Sequence, residues 1–423
     1  MTRAAPLRSI LGGAAGNLVE WFDWYVYSAF SLYFAKAFFP GQDQTAQFLA
    51  TSGIFWIGFL MRPIGGWLLG RIGDRHGRRT ALAWSVVLMG GGSLLLAATP
   101  VYASIGIAAP VILMLARIIQ GLSLGGEYGA AATYLSEIAP EGRRGFWSSF
   151  QYVTLYGGQL LALALLLGLQ ASGASEAALS SWGWRLAFVV GAILALGIYW
   201  LRRGIDETPD FTADPTPARR AGRIADLWRH HRRNVLIAFG LAVGSNVAFY
   251  TYTTYMQKYL VVTSGFSKPT ASQVCAAATI LAILLQPLLG GLSDRIGRKP
   301  LLYWFAIGGI AATVPLMTAI GNTHDPLIAF ALVLTALLIL SGATATSAIV
   351  KAELFPPYIR VLGVGLPYAI SQSLFGGSAE AVALGLKQAG HENYFFWYVT
   401  AMIGVALIAT IAMRPRAIEP DGA

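Results

Sequence analysis

The sequence predicts an all-α integral membrane protein with twelve transmembrane helices in two six-helix halves. Three observations lead there. Of the 423 residues, 56% are hydrophobic and 12% charged, against about 25% charged in an ordinary soluble domain, so the chain lacks the polar surface that water demands. Its apolar stretches are long enough to cross a bilayer core, which takes about 20 residues of helix. A charged segment also recurs: Gly70-Arg71-Ile72-Gly73-Asp74-Arg75-His76-Gly77-Arg78-Arg79 is echoed roughly half a chain later by Gly290-Gly291-Leu292-Ser293-Asp294-Arg295-Ile296-Gly297-Arg298-Lys299. Two similar halves facing each other are what alternating access to a central site requires.

The predicted spans cover 11–34, 46–69, 80–99, 108–136, 146–170, 184–202, 234–260, 270–291, 301–320, 327–350, 361–387 and 394–413. Connections are short except for a stretch rich in Pro, Asp and Arg. The organisation is therefore an N-terminal half over 1–202, a linker over 203–233 and a C-terminal half over 234–423. A second echo supports the duplication. The fourth span leaves the membrane through Glu137, Pro140 and Arg143–Arg144, and the tenth through Glu353, Pro356–Pro357 and Arg360.

The formal net charge is +10, with 30 Lys and Arg against 20 Asp and Glu. Most of these cations fall in the termini and the even-numbered loops, whereas Lys36, Arg185, Lys258, Lys268 and Lys387 fall at the opposite ends. This is the positive-inside pattern, which puts both termini in the cytoplasm and removes any need for a nucleic-acid partner. The first apolar stretch is too long for a signal-peptide core and is expected to stay as the first span. Cys275 is the single cysteine, so no intrachain disulfide or cysteine-based metal site can form. Residues Ile224 to Arg233 have the pattern of a short amphipathic helix on the membrane surface. Phe38, Phe39, Trp182, Trp184 and Phe395 to Tyr398 are expected at the interfaces as an aromatic belt.

Ionisable residues at bilayer depth cost about 2.5–3.5 kcal/mol each on insertion scales, so each needs a reason to be there. Here they are Glu20, Asp23, Arg62, Arg117, Glu127, Lys351, Glu353 and Glu380. Glu20 and Asp23 share one helix face with Asn17, Trp24 and Tyr27. Two carboxylates so close in a low dielectric resist ionising together, and a carboxyl that takes and gives up a proton is what proton coupling requires; pairing with Arg62 or Arg117 is the structural alternative. Glu127 and Glu380 are further candidates for the proton, the latter following Gly376-Gly377-Ser378-Ala379. Arg117 lies well inside the fourth span, with Gln120 on its side, and a permanently charged guanidinium facing a cavity suits two-pronged capture of a carboxylate. Arg62 and Lys351 are candidates for a second cation, with Gln120, Tyr27 and Gln159 as polar partners. In the repeated loops, Asp74, Arg75 and Arg78 are placed to pair with Glu137 and Arg144, and Asp294 and Arg298 with Glu353 and Arg360. Such networks would gate the cytoplasmic side.

Gly121-Leu122-Ser123-Leu124-Gly125 matches a hydrolase nucleophile pattern, but that motif needs a strand–turn–helix elbow. Inside an apolar helix it reads as a packing face. No Gly-x-x-x-x-Gly-Lys-Ser/Thr and no His-Glu-x-x-His occurs, so neither ATP, metal, cofactor nor catalytic residue is predicted.

The repeated loop resembles the signature of the major facilitator superfamily. Gly16-Asn17-Leu18-Val19-Glu20-Trp21-Phe22-Asp23 and Ala116-Arg117-Ile118-Ile119-Gln120-Gly121, followed by Gly125-Gly126-Glu127, resemble its metabolite:proton symporter branch. Phe150-Gln151-Tyr152-Val153-Thr154, Val350-Lys351-Ala352-Glu353 and Phe375-Gly376-Gly377-Ser378-Ala379-Glu380 are similar to the α-ketoglutarate permeases of that branch. The resemblance implies import of a small dicarboxylate, α-ketoglutarate first, together with a proton. Citrate or shikimate as substrate, and sodium as coupling ion, are the alternatives it leaves open. It also implies a bacterial inner-membrane location, and nothing in the sequence demands more than a monomer.

Overall fold

A computed structural model describes residues 7–76, 78–124, 127–203 and 224–413, and every regular element among them is helical. Twelve spans follow in order. Span 1 is Leu7–Phe38; span 2 is Gln44–Leu60 continued, after a break at Met61, by Arg62–His76; span 3 is Arg78–Ala98. Span 4 joins Ala108–Ser123 to Glu127–Ile138, span 5 is Arg144–Ala171, and span 6 is Trp184–Arg203 after a π turn at Leu179–Gly183. In the second half, span 7 runs Ile224–Tyr250, a π turn Thr251–Tyr255 and Met256–Val262. Spans 8 and 9 are Lys268–Ile296 and Lys299–Asn322, and span 10 is Pro326–Thr344 with Ser347–Glu353. Span 11 is Arg360–Ser371, a π turn Gln372–Gly376 and Ala379–Gln388; span 12 is Glu392–Ala412. Among the described residues, eight helical stretches are long and apolar enough to cross a membrane, and Ala83–Ala98 and Ala108–Ser123 are shorter apolar helices.

Side chains fix where several spans start. Asp43, Ser267 and Asp325 accept hydrogen bonds from the first free N–H groups of spans 2, 8 and 10, the usual device for satisfying a helix N-terminus. Span 5 has no cap of its own at Arg143. Asp294, from span 8 of the other half, accepts from the N–H groups of Gly145 (2.7 Å) and Phe146 (2.9 Å) instead. Arg298 holds that carboxylate at 2.7 Å and reaches Glu353 at 3.5 Å. This approach requires glycine: a Cβ on Gly145 or Gly290 would collide with the facing backbone.

Span 5 runs along span 8, and span 2 along the far part of span 11, the pairing that a duplication of halves demands. At the arginine-rich end the halves also meet through Arg360 and Glu137 (2.7 Å). Near the middle Ser373 donates to the Phe59 carbonyl (2.7 Å), and at the opposite end Gln388 donates to Asp43 (2.9 Å) and Lys268 pairs with Glu176. Both ends are closed over the middle.

Three expectations are corrected. Span 7 begins at Ile224, ten residues early, and breaks at His231 (φ −126°, ψ 16°). The expected amphipathic helix exists, with Leu227 buried against Ala348 and Phe355, His231 bonded to Tyr358, and Ile224, Trp228, Arg229 and Arg232 exposed. Trp184 and Phe38 are core residues rather than belt anchors, their rings 5.6 Å apart, while Trp182 and Trp397 are exposed. Glu137 and Arg360 were each expected to pair within one half, and they pair across the interface. The linker residues 204–223 lie outside the described residues.

Removing the Asp294 carboxylate strands two N–H groups at the start of span 5. Asp294→Ala is expected to cost about 1–2 kcal/mol of closure at this end, a shift of roughly 5–30-fold in the equilibrium. With Cys275→Ala as background, faster alkylation of a cysteine placed at the buried Ser149 reads that shift; an unchanged rate contradicts it.

Candidate functional site

Arg117, on the buried face of span 4, is completely enclosed. Its guanidinium carbon sits 3.9 Å from the Trp24 ring centre and 4.4 Å from that of Tyr27, so aromatic faces from span 1 replace part of the hydration it loses. Nη1 donates to Oε1 of Gln120 (2.7 Å). The other end of that amide, Nε2, donates to Oδ2 of Asp23 (2.5 Å), whose Oδ1 accepts from the Ser93 hydroxyl (2.5 Å). One side-chain amide thus links a buried carboxylate to a buried guanidinium. Gly92 gives Gln120 its room, since a Cβ there would collide with the glutamine.

Arg62, where span 2 restarts, is buried as well. It packs on Phe59 (4.0 Å) and Trp24 (4.4 Å) and lies within electrostatic reach of Glu20. Its Nη1 donates to Oε1 of Gln372 (2.6 Å), on span 11. The Gln372 amide nitrogen donates to Tyr250 (2.9 Å) and Tyr368 (3.1 Å). Spans 2 and 4 bring the two arginines together through glycine contacts, Gly58 on Gly121 and Gly65 on Leu122. The stretch from Gly121 to Gly125 is accordingly a packing face at its described end.

Two more cations are buried in the second half. Lys351 donates to Ser347 (2.7 Å) and Tyr128 (3.3 Å) and lies over the Tyr368 ring (4.6 Å); it has no carboxylate partner among the described residues. Lys258 pairs with Glu380 at 2.8 Å and also donates to the carbonyl and hydroxyl of Ser28 on span 1, both at 3.2 Å. Each member of this pair closely follows a π turn, at 251–255 and 372–376, an irregularity frequent at functional sites.

Of the residues singled out in the sequence, Arg62, Arg117, Gln120, Tyr27, Glu20 and Asp23 come together. The Tyr27 hydroxyl donates to the Thr51 carbonyl (3.0 Å), so its ring rather than its oxygen meets Arg117. Gln159 is buried, and its Oε1 makes no hydrogen bond among the described residues. Lys351 meets the Arg62–Gln372 group through Tyr368, Glu380 stands apart with Lys258, and Asp294, Arg298, Glu353, Glu137 and Arg360 form the end closure described above. Arg144 is exposed. The side chains of Asp74, Arg75, Arg78 and Glu127 lie outside the described residues. Sequence reasoning missed Lys258, which it placed at an interface two residues before the predicted end of a span; the burial cost of a lysine there was the available signal. It also missed Gln372 and Ser93, neutral groups in apolar runs that give no such signal.

Charged side chains buried in the helices of both halves, with ties between the halves toward both ends, fit a membrane transporter rather than an enzyme. Comparison with known proteins agrees. The chain belongs to the Major Facilitator Superfamily, whose family model matches residues 13–380. It is 52% identical over 410 residues to the alpha-ketoglutarate permease of Escherichia coli (strain K12), covering 96% of this chain and 94% of that one. It is 32% identical to a citrate-proton symporter of Salmonella typhi, covering 98% and 95%. Among solved structures, a D-xylose-proton symporter superposes with a TM-score of 0.77 at 21% identity, covering 96% of each chain; that likeness concerns the fold.

Breaking one side of a buried ion pair leaves an uncompensated charge, at about 3–5 kcal/mol. Lys258→Met is therefore expected to lower the melting temperature of the purified protein clearly, and adding Glu380→Gln to recover most of the loss. A double variant no more stable than the single one contradicts this account of the pair.

Proposed function

We propose that this protein is a proton-coupled symporter that imports α-ketoglutarate by alternating access. The observation that carries the reading is the chain Asp23–Gln120–Arg117, in which proton site and anion site share one amide. While Asp23 is ionised, it holds the Gln120 amide and, through it, orients Arg117. Protonation removes the charge that Gln120 faces and weakens that hold, leaving Arg117 to take the carboxylate of the substrate. Binding of anion and proton therefore favour each other. The relationship to the permease of Escherichia coli supports α-ketoglutarate as the substrate, and the citrate-proton symporter supports the coupling ion.

The halves, 1–202 and 234–423, are joined by 203–233 on the cytoplasmic side. Both termini are cytoplasmic, following the arginine-rich loops. The protein lies in the lipid bilayer of a bacterial inner membrane, and one chain carries a complete site, so it acts as a monomer. The closures around Asp294 and Arg360 are its cytoplasmic gate.

The test is uptake of labelled α-ketoglutarate into proteoliposomes holding only this protein, with and without an inward proton gradient. Gradient-stimulated uptake, competed by α-ketoglutarate better than by citrate, shikimate or betaine, is the expected result. Arg117→Gln is expected to reduce uptake by about 100-fold, from about 2.7 kcal/mol of lost charged contacts. Asp23→Asn should abolish the response to the gradient while leaving exchange of labelled for unlabelled substrate. Uptake indifferent to the gradient in the unaltered protein overturns the coupling, and unchanged uptake by Arg117→Gln overturns the anion site.

A further inference from the structure

The two buried arginines are arranged alike. Each uses Nη1 on a glutamine, Arg117 on Gln120 and Arg62 on Gln372. In each, Nε and Nη2 are buried and make no hydrogen bond among the described residues. Those two nitrogens form one edge of the guanidinium plane, the edge that receives a carboxylate through two parallel hydrogen bonds. Both cations press on the same indole, Trp24, at 3.9 and 4.4 Å from its centre. Two guanidinium edges left open in this way suit a molecule with a carboxylate at each end.

The glutamines belong to different halves. Gln120 ties Arg117 within the first half. Gln372 holds Arg62 from the second half, and its own amide is oriented by Tyr250 and Tyr368, which accept from its nitrogen. The oxygen is thereby left to face Arg62. Gln372 is also the first residue of the π turn in span 11.

We propose that Arg62 receives the distal carboxylate of the substrate and that Gln372, reaching across from the second half, is the positioning residue that sets its guanidinium for this task. Discrimination between dicarboxylates and monocarboxylates then resides in the Arg62–Gln372 contact. This inference rests on the proposed carboxylate transport at Arg117.

The test uses isothermal titration of the purified full-length protein with α-ketoglutarate and with 2-oxopentanoate, which has the same chain length without the distal carboxylate. The unaltered protein is expected to prefer the dicarboxylate by about 100-fold. Arg62→Gln should reduce that preference below about tenfold while leaving 2-oxopentanoate affinity within about threefold, which also reports that the variant is folded. Gln372→Ala should weaken α-ketoglutarate about tenfold and, in proteoliposomes, raise KM with maximal rate retained. Gln372→Glu, which pairs a charge with Arg62, should cost the dicarboxylate more than Gln372→Ala does. A preference that survives Arg62→Gln, or that is lost in Lys351→Met instead, overturns the assignment. So does equal weakening of both ligands in both Gln372 variants, the mark of a merely structural contact. If the unaltered protein binds neither keto acid, the proposed function falls and this inference with it; if it binds both and the ratio does not move, only the inference falls.

Discussion

An arginine in the middle of a membrane span keeps its charge at any physiological pH, so the protein around it has to be built to tolerate that charge. Arg117 shows how this is done. Aromatic faces from span 1 cover the guanidinium, one nitrogen is bonded through Gln120 to Asp23, and small residues let the neighbouring spans close in. Each of these supports is itself buried and has to be satisfied in turn. Ser93 answers the second oxygen of Asp23, and Tyr250 and Tyr368 answer the amide of Gln372. The polar interior is thus a connected set of debts of hydrogen bonding arising from two fixed charges.

The same logic operates at the periphery, where the groups at issue are backbone N–H rather than side chains. The start of span 5 has no cap from its own half and takes one from Asp294 of the other. Closure of that end therefore satisfies groups that separation would expose to water. Glycine at 145 and 290 lets the backbones approach far enough for the bond to form.

Much of this was legible in the sequence because charge in an apolar chain is conspicuous. The recurring Asp and Arg of the loops announced the Asp294–Arg298–Glu353 cluster, and helical spacing put Asp23, Trp24 and Tyr27 on one face. What escaped was of two kinds. Neutral amides such as Gln372 carry no burial penalty large enough to stand out, and their role depends on which half they reach into. Aromatic residues near span ends look alike in sequence whether they are exposed, as Trp182 is, or packed against a neighbouring helix, as Trp184 is. Pairing across halves, as between Glu137 and Arg360, was likewise invisible, because sequence order says which residues share a half and not which surfaces meet.

The π turns of spans 7 and 11 set the phase of everything that follows them. Each accommodates one residue beyond what an α-helix needs, and one residue corresponds to about 100° of rotation about the helix axis. Lys258 and Glu380 stand a few residues further along, so this extra rotation enters the direction in which each of them faces the other. The ion pair is thus a register stop: if either span sheds its surplus residue into a regular helix, its charged partner swings away from the other and from Ser28.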